Sequence, residues 1–254
     1  MNPKIAVLMC AYNSEVFIKE AIESILEQTY SDFEFIIVEN GSTDRTWEII
    51  KSYGDSRIKP FKTEIKGLTF NLNYGLLQTE AEFIARMDTD DIANPERLEK
   101  QISYLEIHPE VSVLGTAIEI FNNSKMSRVV ILPLTDSAIR RRLPFVFSFC
   151  HPSVMFYRRV IMNVGGYDGI KGCEDLDLWL RLMRNKSIKF ANLPEPLLKY
   201  RIHLNQIKGS RESYIASTSV LFREALFQRS FRLFVASVVA FCKTIMAVKK
   251  MNHK

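Results

Sequence analysis

The stretch Lys4–Asn40, KIAVLMCAYNSEVFIKEAIESILEQTYSDFEFIIVEN, decides the fold class. It opens on a short, nearly continuous apolar run, which is typical of a strand buried on both faces of a sheet. Ile18, Ile22 and Ile25 follow at helical spacing, and FEFIIVEN then predicts a second buried strand. A strand, a helix and another strand in this order predict a parallel βαβ unit.

The same alternation continues over the first hundred residues. GSTDRTWEIIKSYG predicts a helix, RIKPFK a strand that Pro60 places at an edge, and TFNLNYGLLQT a helix before the strand EFIARMD. The order βαβαβαβ predicts a three-layer α/β/α fold around a mostly parallel, Rossmann-like sheet. Residues from about 110 to 205 mix strand and helix patterns, so we expect them to extend the same sheet.

The composition and charge of the chain restrict its function. The 254 residues are 47% apolar and 25% charged, as in an ordinary soluble globular protein. Residues 206–254 carry nine Lys or Arg and two Glu, net +7, whereas the first 205 residues carry 25 cations and 27 anions, net −2. This distribution argues against a nucleic-acid binder and indicates a basic appendage with its own partner.

The cysteines and the first apolar run predict a compartment. Cys10, Cys150, Cys173 and Cys242 form no CxxC pair, which favours free thiols over a disulfide framework or a zinc site. Charged and polar residues follow the run Ile5–Cys10 almost at once, so no secretory signal is predicted. We therefore expect a cytoplasmic protein.

Three polar clusters follow predicted strands: AYNSE, VENGSTD and RMDTDD. Ligands of open parallel sheets bind at the carboxyl ends of strands, so these clusters are expected to meet at one edge. In the third cluster, Asp88, Asp90 and Asp91 place three carboxylates in four positions, and their repulsion requires a compensating partner. Carboxylate oxygens suit Mg²⁺ or Mn²⁺ together with substrate phosphates. A solvated acidic turn is the alternative.

Several stretches resemble the signatures of family 2 glycosyltransferases, which have the GT-A fold. They are, in order, AYNSEVFIKEAIESILEQTYSDFEFIIVENGSTDRT, ARMDTDD and GGYDGIKGCEDLDLWLRL, and the similarity runs from about Ile5 to His203. CHPSVMFYRR and LLKYRIHLNQI resemble bacterial members that build surface polysaccharides such as O-antigen, capsule or exopolysaccharide. The resemblance implies an inverting enzyme that moves a sugar from a nucleotide-diphospho-sugar to an oligosaccharide acceptor linked to a lipid.

The resemblance also implies roles for the acidic cluster. Asp88 and Asp90 match the family's DxD motif. Asp90 and Asp91 are predicted to hold Mn²⁺ or Mg²⁺, and Asp88 either joins them or contacts the ribose or the sugar. Arg86, on the same face of its strand as Asp88, either contacts the phosphates or offsets the carboxylates. His203 matches a position where some relatives place a metal or phosphate ligand, and a structural histidine is the alternative.

The tips of the first two strands are implied to bind the nucleotide. Glu39 and Asn40 stand where the family has two aspartates, a departure from its pattern. The first acidic residue accepts a hydrogen bond from the uracil imide in the family, and Glu39 can still accept it, so a UDP-sugar is predicted. Ala11, Tyr12 and Asn13 are predicted to line the base and ribose, with core packing as the alternative for Tyr12.

Asp175 matches the family's ED motif and is implied to be the general base that takes the proton of the acceptor hydroxyl. An ordinary Asp pKa is about 3.9, which suffices because that proton becomes acidic only late in the transition state. Glu174 is predicted to orient the acceptor or to hold a neighbouring loop. Trp179, on the same helical face as Asp175, is predicted to stack against an acceptor sugar or to lie in the core.

The C-terminal segment is apolar but interrupted by basic residues. Its charge-free part, Leu233–Cys242, is too short to span a bilayer. The flanking cations favour a helix in an anionic membrane interface, and a core-packing helix is the alternative. We predict a glycosyltransferase domain at 1–205, with a donor half at about 1–100 and an acceptor half at about 101–205, before a basic amphipathic helical tail at 206–254. The expected location is peripheral, on the cytoplasmic face of the inner membrane.

Two other functions stay open at this point. A catalytically silent binding or assembly subunit of the same fold has no need to keep both DTDD and ED, which argues against it. A nucleotidyltransferase shares the α/β core and the metal requirement. It usually has a glycine-rich basic loop after the first strand, where this chain has AYNSE.

Overall fold

The computed structural model describes residues 3–122, 127–168, 171–203 and 211–251. A 3₁₀ turn at His151–Ser153 precedes the eighth strand. The strands and helices are, in chain order, β1 (Ile5–Ala11), α1 (Ile18–Leu26), β2 (Phe33–Glu39), α2 (Thr46–Lys51), β3 (Ile58–Lys62), α3 (Leu68–Leu77), β4 (Phe83–Met87), β5 (Ile92–Ala93), α4 (Arg97–Ile107), β6 (Val111–Phe121), β7 (Ser127–Val130), α5 (Asp136–Arg142), β8 (Met155–Tyr157), α6 (Arg158–Asn163), α7 (Glu174–Met183), β9 (Lys189–Arg201), α8 (Arg211–Phe227) and α9 (Phe231–Met251).

The described strands form one sheet in the order β3-β2-β1-β4-β8-β6-β9-β5, with β7 paired to β6. β3, β2, β1 and β4 are mutually parallel, and β8 runs antiparallel between β4 and β6. The longest ladders, β1 with β2 and β6 with β9, are parallel. The predicted α/β architecture is therefore confirmed, and β3, which contains Pro60, lies at an edge as predicted.

Successive residues of β1 face two separate cores. Ile5, Val7 and Met9 pack with α1 and α4 on one face of the sheet. Ala6 and Leu8 pack on the other face with α3, α7 and the C-terminal helices. Side chains alternate along a strand, so a strand covered on both faces must be apolar at nearly every position. This burial explains the apolar run with which the chain opens.

The C-terminal helices α8 and α9 pack on the second core. Val220, Leu221 and Leu233 are buried there. Glu224 of α8 is fully buried and accepts a hydrogen bond of 2.9 Å from Nε of Arg184, the C-cap residue of α7. The inner face of the hairpin formed by α8 and α9 therefore packs in the core, as the alternative interpretation of the C-terminal segment predicts. None of the helices in the described ranges combines the length and the apolar character needed to traverse a bilayer.

Candidate active site

A cavity of about 1490 Å³ opens beside the carboxyl ends of β1 and β4. Ligand pockets usually measure about 300–1,000 Å³, so this one has room for two substrates. The parallel arrangement of β1 and β4 brings their polar ends together with the start of α7. Among the predicted site residues, the cavity walls include Ala11, Tyr12, Arg86, Asp88, Glu174, Asp175 and Trp179.

Asp88, Asp90 and Asp91 form an acidic cluster directly after β4. One oxygen from each can be chosen so that all lie within 4.8 Å of one another. Asp91 is 1% exposed, which excludes a solvated acidic turn. Burial and the charges of Asp88 and Asp90 raise the pKa of Asp91 well above its ordinary value.

The donor set of this cluster fits a divalent metal ion. Nε2 of His203 lies 2.9 Å from Oδ2 of Asp90, so an imidazole adjoins the carboxylates. The buried Oδ2 of Asp91 has no hydrogen-bond partner within the described part of the chain. Carboxylate oxygens are the ligands that suit Mn²⁺ or Mg²⁺. An ion would also relieve the repulsion between the carboxylates.

Arg201, at the end of β9, holds the acidic cluster from outside the cavity. Its backbone N donates to Oδ1 of Asp91 at 2.9 Å, and its Nε donates to the carbonyl of Asp90 at 2.8 Å. Its guanidinium also contacts Oε2 of Glu20 at 2.5 Å. Arg201 is 110 positions from Asp91, so no motif spacing signals this role.

Arg86 is buried and forms an ion pair with Asp88. Burial lowers the pKa of Arg86, but the pair with Asp88 outweighs burial and places that pKa above its ordinary value. Burial raises the pKa of Asp88, and Arg86 opposes this shift. The contact favours the interpretation in which Arg86 offsets the carboxylate repulsion. Arg97, which has no motif signal, donates to the carbonyl of Arg86 at 2.7 Å and fixes the end of β4.

The loops after β1 and β2 are joined by their own side chains. Oδ1 of Asn13 accepts from the backbone N of Thr43 at 2.9 Å, and Oγ of Ser42 accepts from the backbone N of Asn13 at 3.0 Å. Oε1 of Glu39 accepts from the backbone N of Ser42. The buried Oε2 of Glu39 has no partner among the described residues. Glu39 is fully buried behind these loops and is not one of the cavity-lining residues.

Tyr12 forms part of the cavity wall. It is 45% exposed, which excludes core packing, the alternative for this residue. Nζ of Lys66 lies 5.4 Å from the centroid of its ring, and Lys66 also lines the cavity. The sequence around Lys66 matches no motif, so only the fold reveals this aromatic and cationic pair.

Asp175 lies in the first turn of α7, on the cavity wall. Glu174 beside it is buried, and that burial raises the pKa of its carboxyl group. Trp179 is 2% exposed, and its ring centroid lies 5.3 Å from Phe149 and 6.2 Å from His151. Trp179 therefore lies in the core, which is one of the two predicted alternatives, and acceptor binding by its indole stays a prediction.

Two arginines fix the helix that carries Asp175. Arg181 donates to the carbonyl of Gly166 at 2.6 Å, in the segment before α7, and to Oδ2 of Asp177 at 2.7 Å. Asp177 is fully buried and also pairs with Arg223 of α8. The C-terminal hairpin thereby helps to hold α7 in place.

Known proteins resemble this chain in sequence and in fold. The sequence model of glycosyl transferase family 2 matches residues 6–166. This chain belongs to that family. The O-antigen biosynthesis glycosyltransferase WbnJ of Escherichia coli is 38% identical over 248 residues, covering 95% of this chain and 96% of WbnJ. The amylovoran biosynthesis glycosyltransferase AmsE of Erwinia amylovora is 34% identical, covering 86% of this chain and 84% of AmsE.

The fold of this family 2 chain matches those of solved glycosyltransferases. TarS 1–349 of S. aureus in complex with UDP-GlcNAc superposes with a TM-score of 0.72 at 20% identity, over 88% of this chain and 66% of that fragment. A longer TarS chain is covered over 39% of its length. The mannosyltransferase PcManGT from Pyrobaculum calidifontis, in complex with GDP-Man and Mn2+, gives a TM-score of 0.63 at 16% identity, over 100% and 76%. The predicted GT-A fold is confirmed.

Membership of family 2 establishes the enzyme class. The predicted glycosyltransferase is confirmed, and the nucleotidyltransferase alternative is not favoured. The metal, the donor, the acceptor and the roles of individual residues remain predictions.

Proposed function

We propose that this family 2 enzyme transfers a sugar from a UDP-sugar to a lipid-linked oligosaccharide, with inversion at the anomeric carbon. The observation that carries the proposal is the position of Asp88 and Asp175 on the walls of one cavity, with Asp88 part of a compact acidic cluster. WbnJ and AmsE, named for O-antigen and amylovoran biosynthesis, support a role in building a bacterial surface polysaccharide.

The acidic cluster is the proposed metal site. Asp90 and Asp91, with Asp88 and His203 beside them, would hold Mn²⁺ or Mg²⁺. When bound, a divalent ion offsets the negative charge that grows on the diphosphate leaving group. Oδ2 of Asp91 has no hydrogen-bond partner among the described residues, and this orphaned oxygen and the Mn2+ complex of PcManGT support the assignment.

The loops after β1 and β2 form the proposed nucleotide site. Ala11, Tyr12 and Asn13 line the base and ribose, and Glu39 accepts a hydrogen bond from the uracil imide. The buried Oε2 of Glu39, which has no donor in the described part of the chain, supports this role. TarS and PcManGT carry UDP and GDP donors on the same fold, so Glu39 is the feature that favours uracil.

Asp175 is the proposed general base. The acceptor hydroxyl oxygen attacks the anomeric carbon, and the bond from that carbon to the phosphate oxygen breaks. The electron pair of that bond leaves with UDP, and the hydroxyl proton passes to the carboxylate of Asp175. Attack opposite the leaving group inverts the anomeric centre. Glu174 orients the acceptor beside this base, and Trp179 supports the acceptor side of the cavity.

The outer face of the C-terminal hairpin is the proposed membrane contact. Phe231 is 79% exposed and Phe241 is 54% exposed, and Arg229 and Arg232 lie on the same hairpin. Exposed apolar side chains with nearby cations fit an anionic membrane interface. The proposed organisation is a catalytic domain at 1–205, with a donor half at about 1–100, and a tail at 206–254 on the cytoplasmic face of the inner membrane.

A nucleotide-sugar screen tests this function. Purified protein is incubated with UDP-, GDP- and dTDP-sugars in Mn²⁺, and release of the nucleoside diphosphate is measured. We expect slow hydrolysis of a UDP-sugar that stops in EDTA and in the Asp175→Asn variant, which should still bind UDP. Binding of no nucleotide-sugar would contradict the proposal and favour the silent subunit.

A further inference from the structure

Part of the cavity wall is formed by the segment Leu143–Phe149 and by α9, and this part of the cavity is here called the α9 compartment. On α9, the residues that line the cavity recur every three or four positions, so one stripe of this helix faces the cavity. The walls of the compartment are the segment Leu143–Phe149 and, on α9, Ala236, Val239, Ala240 and Lys243.

The α9 compartment combines apolar walls with a cation. Val146, Phe147 and Val239 contribute exposed apolar surface to the cavity. Nζ of Lys243 lies 3.5 Å from the carbonyl oxygen of Phe145, and no carboxylate pairs with this lysine among the described residues. The guanidinium of Arg232, which is not one of the cavity-lining residues, lies 5.5 Å from the centroid of the Phe145 ring. Lys243 therefore presents a positive charge to the compartment without a carboxylate partner in the described part of the chain.

None of the described carboxylates that line the cavity comes from the segment Leu143–Phe149 or from α9. Asp88, Glu174 and Asp175 lie at the acidic cluster and at the start of α7. The α9 compartment thus differs in charge from the donor and catalytic region. An anionic group is expected to be favoured beside Lys243 and disfavoured beside those carboxylates.

The opposite stripe of α9 faces outward and is apolar. Phe234, Val238, Phe241 and Ile245 recur at helical spacing, and all four are exposed. α9 therefore separates the cavity from the surface that is proposed above to meet a membrane. A ligand that enters the α9 compartment can keep an apolar chain close to that surface.

We propose that the α9 compartment binds the lipid diphosphate part of the acceptor. The diphosphate contacts Lys243, and the first segment of the lipid lies against Val146, Phe147 and Val239. This inference rests on the proposed function and adds the location of the acceptor's lipid end. An ammonium group can donate three hydrogen bonds to phosphate oxygens.

The occupant follows from the pairing of charge and apolar surface. A free phosphate would use Lys243 and leave the apolar walls in water, and a neutral lipid would give the lysine no anionic partner. A soluble sugar would use neither feature. Only an amphiphile with an anionic head group satisfies both sets of side chains.

Binding of farnesyl diphosphate, a water-soluble lipid diphosphate, tests this inference. The titration contains saturating Mn²⁺ and UDP, so that the acidic cluster and the donor site are filled. We expect Lys243→Gln and Val239→Glu each to weaken binding of farnesyl diphosphate by about tenfold or more. Lys243→Gln removes one charge-assisted contact, and Val239→Glu disrupts the apolar wall. Lys186→Gln is the matched control, because Lys186 is exposed and does not line the cavity.

Two further ligands separate the parts of the proposal. Inorganic pyrophosphate and farnesol should each bind the wild-type protein at least about tenfold more weakly than farnesyl diphosphate. Equal affinity of the wild type and Lys243→Gln, pyrophosphate binding as tight as that of farnesyl diphosphate, or no binding of farnesyl diphosphate would each overturn the inference. Val239→Glu carries the test if Lys243→Gln does not fold.

UDP binding in the same samples keeps the two proposals distinguishable. Wild-type protein that binds UDP but not farnesyl diphosphate contradicts the α9 compartment alone. Protein that binds farnesyl diphosphate through Lys243 but does not bind UDP contradicts the proposed donor and not the compartment.

Discussion

Nε2 of His203 lies 2.9 Å from Oδ2 of Asp90, although the two residues are 113 positions apart in the chain. The contact exists because β9 returns the chain to the acidic cluster, where Arg201 donates to Asp91. The ring of Phe17 packs against His203 with a centroid distance of 5.2 Å. His203 is thereby placed to bind the metal or to orient Asp90.

The first prediction concerns this histidine. His203→Ala should lower Mn²⁺ affinity about 10–100-fold, as expected for a group that binds or orients a metal ligand. Calorimetric titration of Mn²⁺ measures the effect, and His108→Ala provides the control because that histidine, at the end of α4, contacts Glu110 and is not part of the acidic cluster. Unchanged Mn²⁺ affinity in His203→Ala would assign the contact a structural role only.

The second prediction concerns the base. Asp175→Asn should reduce transfer or UDP-sugar hydrolysis about 10²–10⁴-fold, because the acceptor proton loses its receiver. UDP affinity should stay the same, since the amide leaves the donor site intact. Asp32→Asn, on the exposed surface, controls for the loss of one carboxylate. Full turnover by Asp175→Asn would remove Asp175 as the base.

The third prediction is a pH dependence of stability. Burial, with a contribution from Arg86, holds the pKa of His151 well below its ordinary value. The unfolded chain therefore protonates this residue below about pH 6.5 while the folded protein does not, and the free energy of unfolding falls as pH drops through that range. The free energy of unfolding falls by at most about 1.4 kcal/mol for each unit of pH.

Urea denaturation of the wild type and His151→Gln between about pH 7.5 and 5.5 measures this effect. The wild type should lose more stability than the variant as the pH falls. The other histidines contribute equally to both proteins, so they cancel in the comparison. A difference in unfolding free energy that does not change with pH would contradict a neutral buried His151.

The fourth prediction concerns the membrane. Phe231→Glu combined with Phe241→Glu should reduce sedimentation with phosphatidylglycerol vesicles, because it removes apolar contact and adds negative charge. Ile107→Glu, at a 75% exposed position on α4, is the control. Surface substitutions are preferable to truncation, since α9 also contributes Leu233 to the core. Equal vesicle binding by the wild type and the Phe231→Glu, Phe241→Glu double variant would contradict the membrane contact.

The sequence predicts the parallel half of the sheet more completely than its other half. β1, β2 and β4 form where apolar runs predict them, because burial on both faces leaves a strong local signal. β9 is not predicted, since Pro194 and Pro196 interrupt its pattern. The strand accommodates them where its register with β6 shifts, between the pairs Leu193–Thr116 and Pro196–Ala117.

The site shows the same division between local and distant signals. Asp88 and Asp175 can be identified because each stands in a short motif at the end of a strand or the start of a helix. Arg201 and Lys66 cannot, because their positions depend on contacts between distant segments. Helical spacing also cannot decide between core and cavity for Trp179, which lies at the boundary of both.

The most direct test of the central claim is the dependence of UDP binding on the metal site. UDP is titrated into the wild type in Mn²⁺, into the wild type in EDTA, and into Asp90→Ala in Mn²⁺. If the acidic cluster holds an ion that binds the donor diphosphate, affinity should fall by about tenfold or more in both the second and third titrations. Equal UDP affinity in all three titrations would contradict this account.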